Sequence, residues 1–244
     1  MIPSIDWSVE NFLGLFGLVL GLFCSVYLFY EWLKHNRKHP PLLLWSIGLA
    51  FFYVFLIPFV QVKFGETIIL TNWTNFFIPT IPFIFLGWVL VYWGINQIKS
   101  SITGEKSAKL KIFLLLWVLG SFIFYFFRFS STEQGQLLSI IGILIFFITI
   151  HIFILSALWK WFKTERWQKN MRVNAGIIFI AGATFISIAR YLLILKSLIR
   201  LPRDLWFLSI ASFDIVFILR SVIVVLLTIG FVLVHKHYVL KSGI

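Results

Sequence analysis

Seven long runs of apolar residues constrain this chain more than any other feature of its sequence. A helix needs about 20 apolar residues to cross the hydrocarbon core of a bilayer, and the runs approach or exceed that length. They are continuous and lack the alternation of barrel strands. The 244 residues are 60% hydrophobic and only 12% charged, which is too few charges for a water-facing surface. The sequence therefore predicts one all-α domain, residues 1–244, a bundle of seven transmembrane helices near 12–32, 41–61, 76–97, 112–129, 137–159, 174–198 and 207–234.

The Lys and Arg residues between the runs predict the orientation of the bundle. The segments after runs 1, 3, 5 and 7 contain fourteen of them, whereas the N-terminus and the segments after runs 2, 4 and 6 contain four. Because basic segments are retained in the cytoplasm, the N-terminus is expected outside the cell and the C-terminus in the cytoplasm. The net charge of +12 then reflects topology and contact with anionic lipid on the cytoplasmic face, and not nucleic-acid binding. A plasma membrane is the expected location.

Two charged residues of opposite sign, Arg190 and Asp214, fall inside runs 6 and 7. An ionised side chain at the bilayer centre costs about 3 kcal/mol on insertion scales, so each needs a partner or a wet cavity. Arg190 lies eight residues before the end of run 6, and Asp214 lies seven residues after the start of run 7. Both are therefore about 10–12 Å below the same interface. Since the connection is short, we expect antiparallel neighbouring helices and an Arg190–Asp214 ion pair.

Arg220 lies deeper in run 7, about 20 Å below that interface. It faces about 120° away from Asp214 on a helix, so the two are not expected to touch. His151 in run 5 is at a similar depth, and its neutral imidazole is a possible acceptor for an Arg220 hydrogen bond.

Further polar residues recur at helical spacing on runs 6 and 7, which predicts two facing polar stripes that exchange hydrogen bonds. We call the whole predicted arrangement the polar seam. It either locks the helices in register or binds a ligand or ion. Its residues are Asp214, Arg190, Arg220, His151, Tyr191, Ser187 and Ser221, with Thr184 and Thr228 one or two turns away.

Outside the polar seam the sequence offers little for metal or cofactor binding. Cys24 is the single cysteine and is expected to be a small core residue. His235 and His237 flank a lysine near the C-terminus and are interpreted as part of a basic tail, so neither a metal site nor a cofactor is expected. Glu31 is expected to pair with a nearby Lys or Arg.

No catalytic motif is present in the sequence, and no paired carboxylates share a helix face. None of the serines is expected to have a histidine or lysine at its depth, which argues against intramembrane hydrolysis. The sequence therefore favours a protein that is not an enzyme.

Three functions remain open at this point. The first is a receptor-like or regulatory module that binds a small ligand, a lipid or a partner helix between spans 5, 6 and 7. The second is a small transporter or channel for an anionic or proton-coupled substrate. The third is a structural subunit of a larger membrane complex, in which case some intramembrane charges face another chain.

Overall fold

The structure is a computed structural model that describes residues 9–35, 39–52, 73–103, 114–115, 117–120, 123, 133–164, 171–198 and 207–242. Within the helices, side chains are described mainly for residues 16–35, 39–52, 83–98, 141–163, 171–192 and 218–236. Six helices have defined bounds: α1 (Val9–Lys34), α2 (Pro40–Phe51), α3 (Trp73–Thr103), α4 (Glu133–Thr164), α5 (Met171–Leu198) and α6 (Phe207–Ser242). Residues 114–115, 117–120 and 123 are also helical and fall in the predicted fourth span. Residues 53–61 of the predicted second span lie outside the described residues.

Four helical stretches are long and apolar enough to cross a membrane: Phe16–Lys34, Leu144–Lys163, Met171–Leu192 and Ile218–Lys236. Pro40–Phe51 and Phe83–Ile98 are apolar but shorter. The described chain is thus all-helical and has the composition of a membrane protein. The count of seven crossings, the orientation of the termini and the identity of the membrane stay predictions.

The helices are arranged as a closed ring. Each of α1 to α5 packs against the next helix, α6 returns to pack against α1, and α2 also contacts α6. Trp45 of α2 is fully buried and stacks on Phe231 of α6, with ring centroids 4.1 Å apart and planes 8° apart. Its indole Nε1 donates a hydrogen bond to the carbonyl oxygen of Val91 in α3, at 3.2 Å. One side chain therefore ties three helices together.

Helices α1 and α2 are joined by a reciprocal pair of serine hydrogen bonds. Ser25 Oγ donates to the carbonyl oxygen of Ser46 at 2.8 Å, and Ser46 Oγ donates to the carbonyl oxygen of Ser25 at 2.8 Å. Both serines are buried. Small hydroxyl residues of this kind let two membrane helices approach closely while satisfying their polar atoms.

Helices α5 and α6 approach most closely at two glycines. A Cβ atom at Gly230 would lie 2.6 Å from Ile180 Cγ1 and 2.9 Å from the carbonyl oxygen of Gly176. A Cβ atom at Gly176 would lie 2.8 Å from Val234 Cγ2 and 2.9 Å from the carbonyl oxygen of Gly230. Residue numbers rise along α5 as they fall along α6, so the expected antiparallel neighbours are confirmed. Arg190 lies fourteen residues after Gly176 on α5. The same distance along α6, measured from the residues that contact Gly176, ends at residues 216–220, so Arg190 lies at the height of this part of α6.

Candidate functional site

The polar residues of α5 and α6 meet at a small cavity in the bundle, which we call the arginine cavity. Its volume is about 20 Å³. That is room for about one or two water molecules. Three polar side chains and five apolar ones line it: Ser187, Arg190, Arg220, Phe52, Ile84, Trp88, Ile223 and Val224. The cavity therefore lies among α5, α6, α3 and the end of α2.

Two arginines supply the charge of this cavity. Arg190 and Arg220 are each only 4% exposed. A guanidinium group stays protonated in proteins, so both side chains bring a positive charge into the bundle. The guanidinium carbon of Arg190 lies 5.7 Å from the ring centroid of Tyr191, within the range of a cation–π contact. Buried charges of one sign need opposite charge or strong acceptors around them.

A histidine and a serine form the second polar feature of the site. His151 Nδ1 lies 2.8 Å from the carbonyl oxygen of Phe147, and His151 Nε2 lies 3.1 Å from Ser187 Oγ. A carbonyl oxygen only accepts, so Nδ1 carries the proton in the neutral imidazole, and the Ser187 hydroxyl donates to Nε2. Both ring nitrogens are then engaged, which leaves none for the predicted bond with Arg220.

This pairing corrects two predictions. His151 bonds to Ser187 of α5 and not to Arg220 of α6, because the imidazole of α4 faces the α5 helix one turn before Arg190. The expectation that no serine has a histidine at its depth is also wrong, since Ser187 and His151 are in hydrogen-bond contact. Ser187 reaches both the imidazole and the cavity, so it connects the two polar features.

Aromatic rings hold the imidazole in place. The centroid of His151 lies 4.3 Å from that of Trp88 and 4.0 Å from that of Phe147. His151 is fully buried, and Tyr191 packs on Phe147 from the other side. These contacts restrict rotation of the ring, so the acceptor that faces Ser187 keeps a defined position.

The structure brings together some residues of the predicted polar seam and leaves others apart. Arg190, Arg220 and Ser187 line the cavity. His151 contacts Ser187, and Tyr191 contacts Arg190, so both lie next to the lining residues. Ser221 is partly buried on α6 but does not line the cavity. The side chain of Asp214 lies outside the described residues, so the Arg190–Asp214 ion pair stays a prediction.

The two threonines of the predicted stripes bond within their own helices. Thr184 Oγ1 donates to the carbonyl oxygen of Ile180, and Thr228 Oγ1 donates to that of Val224, each at 2.8 Å. A threonine in a helix can satisfy its hydroxyl on the preceding turn. Thr228 also contacts the thiol of Cys24 on α1, which belongs to neither stripe. The prediction from helical spacing, that Thr184 and Thr228 take part in hydrogen bonds between the two stripes, is not supported by these bonds.

Sequence reasoning missed the wall that α2 and α3 contribute to the cavity. Phe52, Ile84 and Trp88 line it, although the polar seam was placed between spans 5, 6 and 7. One signal for Trp88 existed: it lies in the middle of an apolar run, whereas membrane tryptophans usually lie near span ends. The aliphatic lining residues carry no comparable signal.

Among known proteins the chain matches no protein family, no curated protein and no solved structure. The class of protein therefore rests on the structure alone. The apolar helices indicate a membrane protein, and two arginines line a cavity inside its helical bundle.

Proposed function

We propose that this protein is an integral membrane binding module that holds a small anion, or the anionic end of a larger molecule, in the arginine cavity. The observation that carries the proposal is the presence of two buried arginines, Arg190 and Arg220, on the wall of one cavity. In a low-dielectric bundle two positive charges at one site repel each other. An anion between them converts that repulsion into two attractive contacts.

The charge balance of the helices that supply the arginines supports an anion from outside the chain. Within residues 174–198 and 207–234 the sequence contains one acidic residue, Asp214, against Arg190, Lys196 and Arg220. Even if Asp214 neutralises one of these, the two helices retain a positive excess. A bound anion would add negative charge beside this excess.

The shape and chemistry of the cavity limit the ligand. Arginine presents planar N–H donors that suit carboxylate and phosphate oxygens. A volume of about 20 Å³ admits one small ion or a single charged terminus. Phe52, Ile84 and Trp88 add an apolar wall, which fits a lipid-soluble molecule with one charged end. Chloride, a carboxylate and a phosphate oxygen are therefore the candidate ligand groups.

The burial of the polar groups favours a site within this chain. Arg190, Arg220 and His151 all turn toward the interior of the bundle. A subunit that uses intramembrane charges to bind a partner helix would present them on its outer surface. The binding module is thus favoured over the structural subunit for this part of the chain. Transport of the same anion is the second candidate function, because a positive lining also suits an anion pathway.

Anion-dependent stability tests the proposal. The full chain in lipid nanodiscs is exposed to sodium chloride, acetate, phosphate or gluconate at constant ionic strength, and thermal unfolding is followed by tryptophan fluorescence. A ligand that binds only the folded state raises the midpoint. We expect at least one of the small anions to raise it above the gluconate value, because the polyhydroxylated chain of gluconate does not suit the apolar wall formed by Phe52, Ile84 and Trp88.

Matched variants assign the effect to the site. Arg190→Gln and Arg220→Gln remove one charge each and are expected to abolish the anion-dependent shift. Arg172→Gln is the control, since Arg172 lies on the same helix as Arg190 but is exposed. The proposal is wrong if no small anion stabilises the unmodified protein, or if Arg172→Gln removes the shift as fully as the other two. Anion flux into proteoliposomes that disappears in Arg220→Gln would identify transport.

A further inference from the structure

Three histidines from separate parts of the sequence meet where α1 ends and α2 begins. His35 follows α1, His39 precedes α2 and His235 lies near the end of the apolar part of α6. The centroids of His35 and His39 are 5.6 Å apart, those of His35 and His235 are 5.0 Å apart, and those of His39 and His235 are 4.9 Å apart. We call these residues the histidine triangle. It lies outside the arginine cavity.

The spacing of the triangle matches three imidazoles on one metal ion. Zinc binds histidine nitrogen at about 2.0–2.1 Å, so each ring centroid lies about 3.2 Å from the metal. Tetrahedral angles then place the centroids about 5.2 Å from one another. The three observed separations of 4.9, 5.0 and 5.6 Å surround that value. The rings are tilted by 59–83°, so they are not stacked face to face.

The state of His235 gives a second reason. Its side chain is 5% exposed, and its Nε2 atom has no hydrogen-bond partner among the described residues. A buried ring nitrogen without a partner is costly, whereas a metal ion would satisfy it. The nitrogen belongs to the same residue whose ring closes the triangle.

Glu31 lies behind His35 in the position of a supporting carboxylate. Its Oε2 atom is 3.6 Å from His35 Nε2, so among the described residues the ionic partner of Glu31 is a histidine. Arg37 and Lys38, two of the nearby basic residues, lie outside the described residues, so the predicted pairing of Glu31 with a Lys or Arg stays a prediction. Ligating histidines commonly direct their second nitrogen to a carboxylate, which orients the ring. This contact leaves Nδ1 of His35 for a ligand. His35 is also 27% exposed, which provides an entry path.

We propose that the histidine triangle binds a divalent transition metal ion of the zinc class, with His35, His39 and His235 as ligands and water at the fourth position. Imidazole nitrogen is a preferred ligand for such ions. As the structure stands, no group of three such side chains among the described residues is placed to hold a metal ion, so the proposal requires the three rings to turn when the ion binds. For His235, this proposal replaces the interpretation from the sequence, which placed the residue in a basic tail without a metal site.

Metal titration of the full chain, produced without a polyhistidine tag and held in detergent, tests the proposal. Zn²⁺ binding is measured by calorimetry, and Co²⁺ is used as a coloured probe of tetrahedral geometry. We expect one ion per chain, an intense visible Co²⁺ spectrum, and a loss of Zn²⁺ affinity of at least about 100-fold in His35→Gln, His39→Gln and His235→Gln. Glu31→Gln is expected to weaken binding by about 10- to 100-fold.

His237→Gln is the matched control, since residue 237 is two positions beyond His235 and lies on a different side of the helix. It should leave the affinity unchanged. Thermal unfolding without metal verifies that each variant is folded, and a variant that does not fold is replaced by the corresponding asparagine. The proposal is overturned if the unmodified chain does not bind Zn²⁺, if His237→Gln weakens binding as much as the triangle variants do, or if folded triangle variants bind normally.

Discussion

The hydrogen bond between Ser187 and His151 is expected to contribute measurably to the stability of the bundle. Ser187→Ala removes the hydroxyl that donates to Nε2, across a distance of 3.1 Å. His151 is fully buried, so Nε2 loses its protein partner, and the one replacement that the described residues leave room for is a water molecule in the adjoining arginine cavity. The second ring nitrogen is still held by the carbonyl oxygen of Phe147 at 2.8 Å. The ring therefore cannot turn freely to find a new partner.

The size of the loss can be bracketed from both contacts. Leaving a buried acceptor unsatisfied costs about 1–3 kcal/mol in soluble proteins. Hydrogen bonds between membrane helices average about 0.6 kcal/mol and reach about 1.7 kcal/mol, because the unfolded state in the membrane also finds partners. We therefore expect Ser187→Ala to lower the free energy of unfolding by about 1–2 kcal/mol.

Reversible unfolding by sodium dodecyl sulfate in mixed micelles measures this value, with tryptophan fluorescence as the signal. Thr184→Val is the matched control one turn away, because its hydroxyl donates to the carbonyl oxygen of Ile180 in its own helix. Its removal should change stability little. The variant His151→Phe supplies a double-mutant cycle. Ser187→Ala should cost less in that background, with a coupling energy of about 0.5–2 kcal/mol. Additive effects, within about 0.3 kcal/mol, would refute the stabilising bond.

Two further predictions test the described packing, and a third tests the charge balance of α5 and α6. Gly230→Ala places a methyl group against the backbone of α5 and should lower the free energy of unfolding by about 1–3 kcal/mol in the same assay. A methyl group at Gly182 meets nothing within 4 Å, so Gly182→Ala should be neutral or stabilising. Equal effects of the two variants would contradict the close helix contact. Ser25→Ala and Ser46→Ala should each cost about 1 kcal/mol, and their effects should add within about 0.5 kcal/mol, since each hydroxyl donates to a backbone carbonyl that the other substitution leaves in place; a double variant that costs no more than one single variant would contradict two separate bonds. Asp214→Asn removes the one carboxylate of the last two helices and should strengthen anion binding in the thermal-shift assay, whereas weaker binding would show that Asp214 does not compete with the anion.

The sequence predicted the helices well because apolar length is a local property. Each predicted span overlaps helical residues, and the antiparallel contact of α5 and α6 followed from their short connection. The burial of Arg190 and Arg220 was also predicted, since a charge placed in an apolar run must avoid lipid. These inferences need only the composition of one segment or the length of one connection.

The contacts between helices were harder to predict, because depth in the membrane does not define the face that meets a neighbour. His151 was placed at the depth of Arg220, yet its ring faces Ser187. A residue spacing gives the angle around one helix but not the rotation of that helix in the bundle. To predict that Trp88 lines the cavity, one would need to know which helices are neighbours in the ring. That order depends on the packing of all the helices together.

The position of the arginine cavity has a physical origin in the close contact of α5 and α6. Gly176 and Gly230 bring the two backbones together. At a crossing angle of about 20°, which is common for packed helices in general, two helices diverge by about 6 Å at a point some 18 Å from their contact. Arg190 is fourteen residues from Gly176 and Arg220 is ten residues from Gly230, which corresponds to about 15–21 Å along the helices.

The small residues therefore close one end of the pair, and the other end must be filled by long side chains and by a neighbouring helix. Two arginines extend into that space, and Trp88 of α3 closes it from the side. Apolar side chains would fill such a gap without any electrostatic cost, so the use of two cations there is difficult to explain by packing alone. The proposed anion site would account for both their position and their sign.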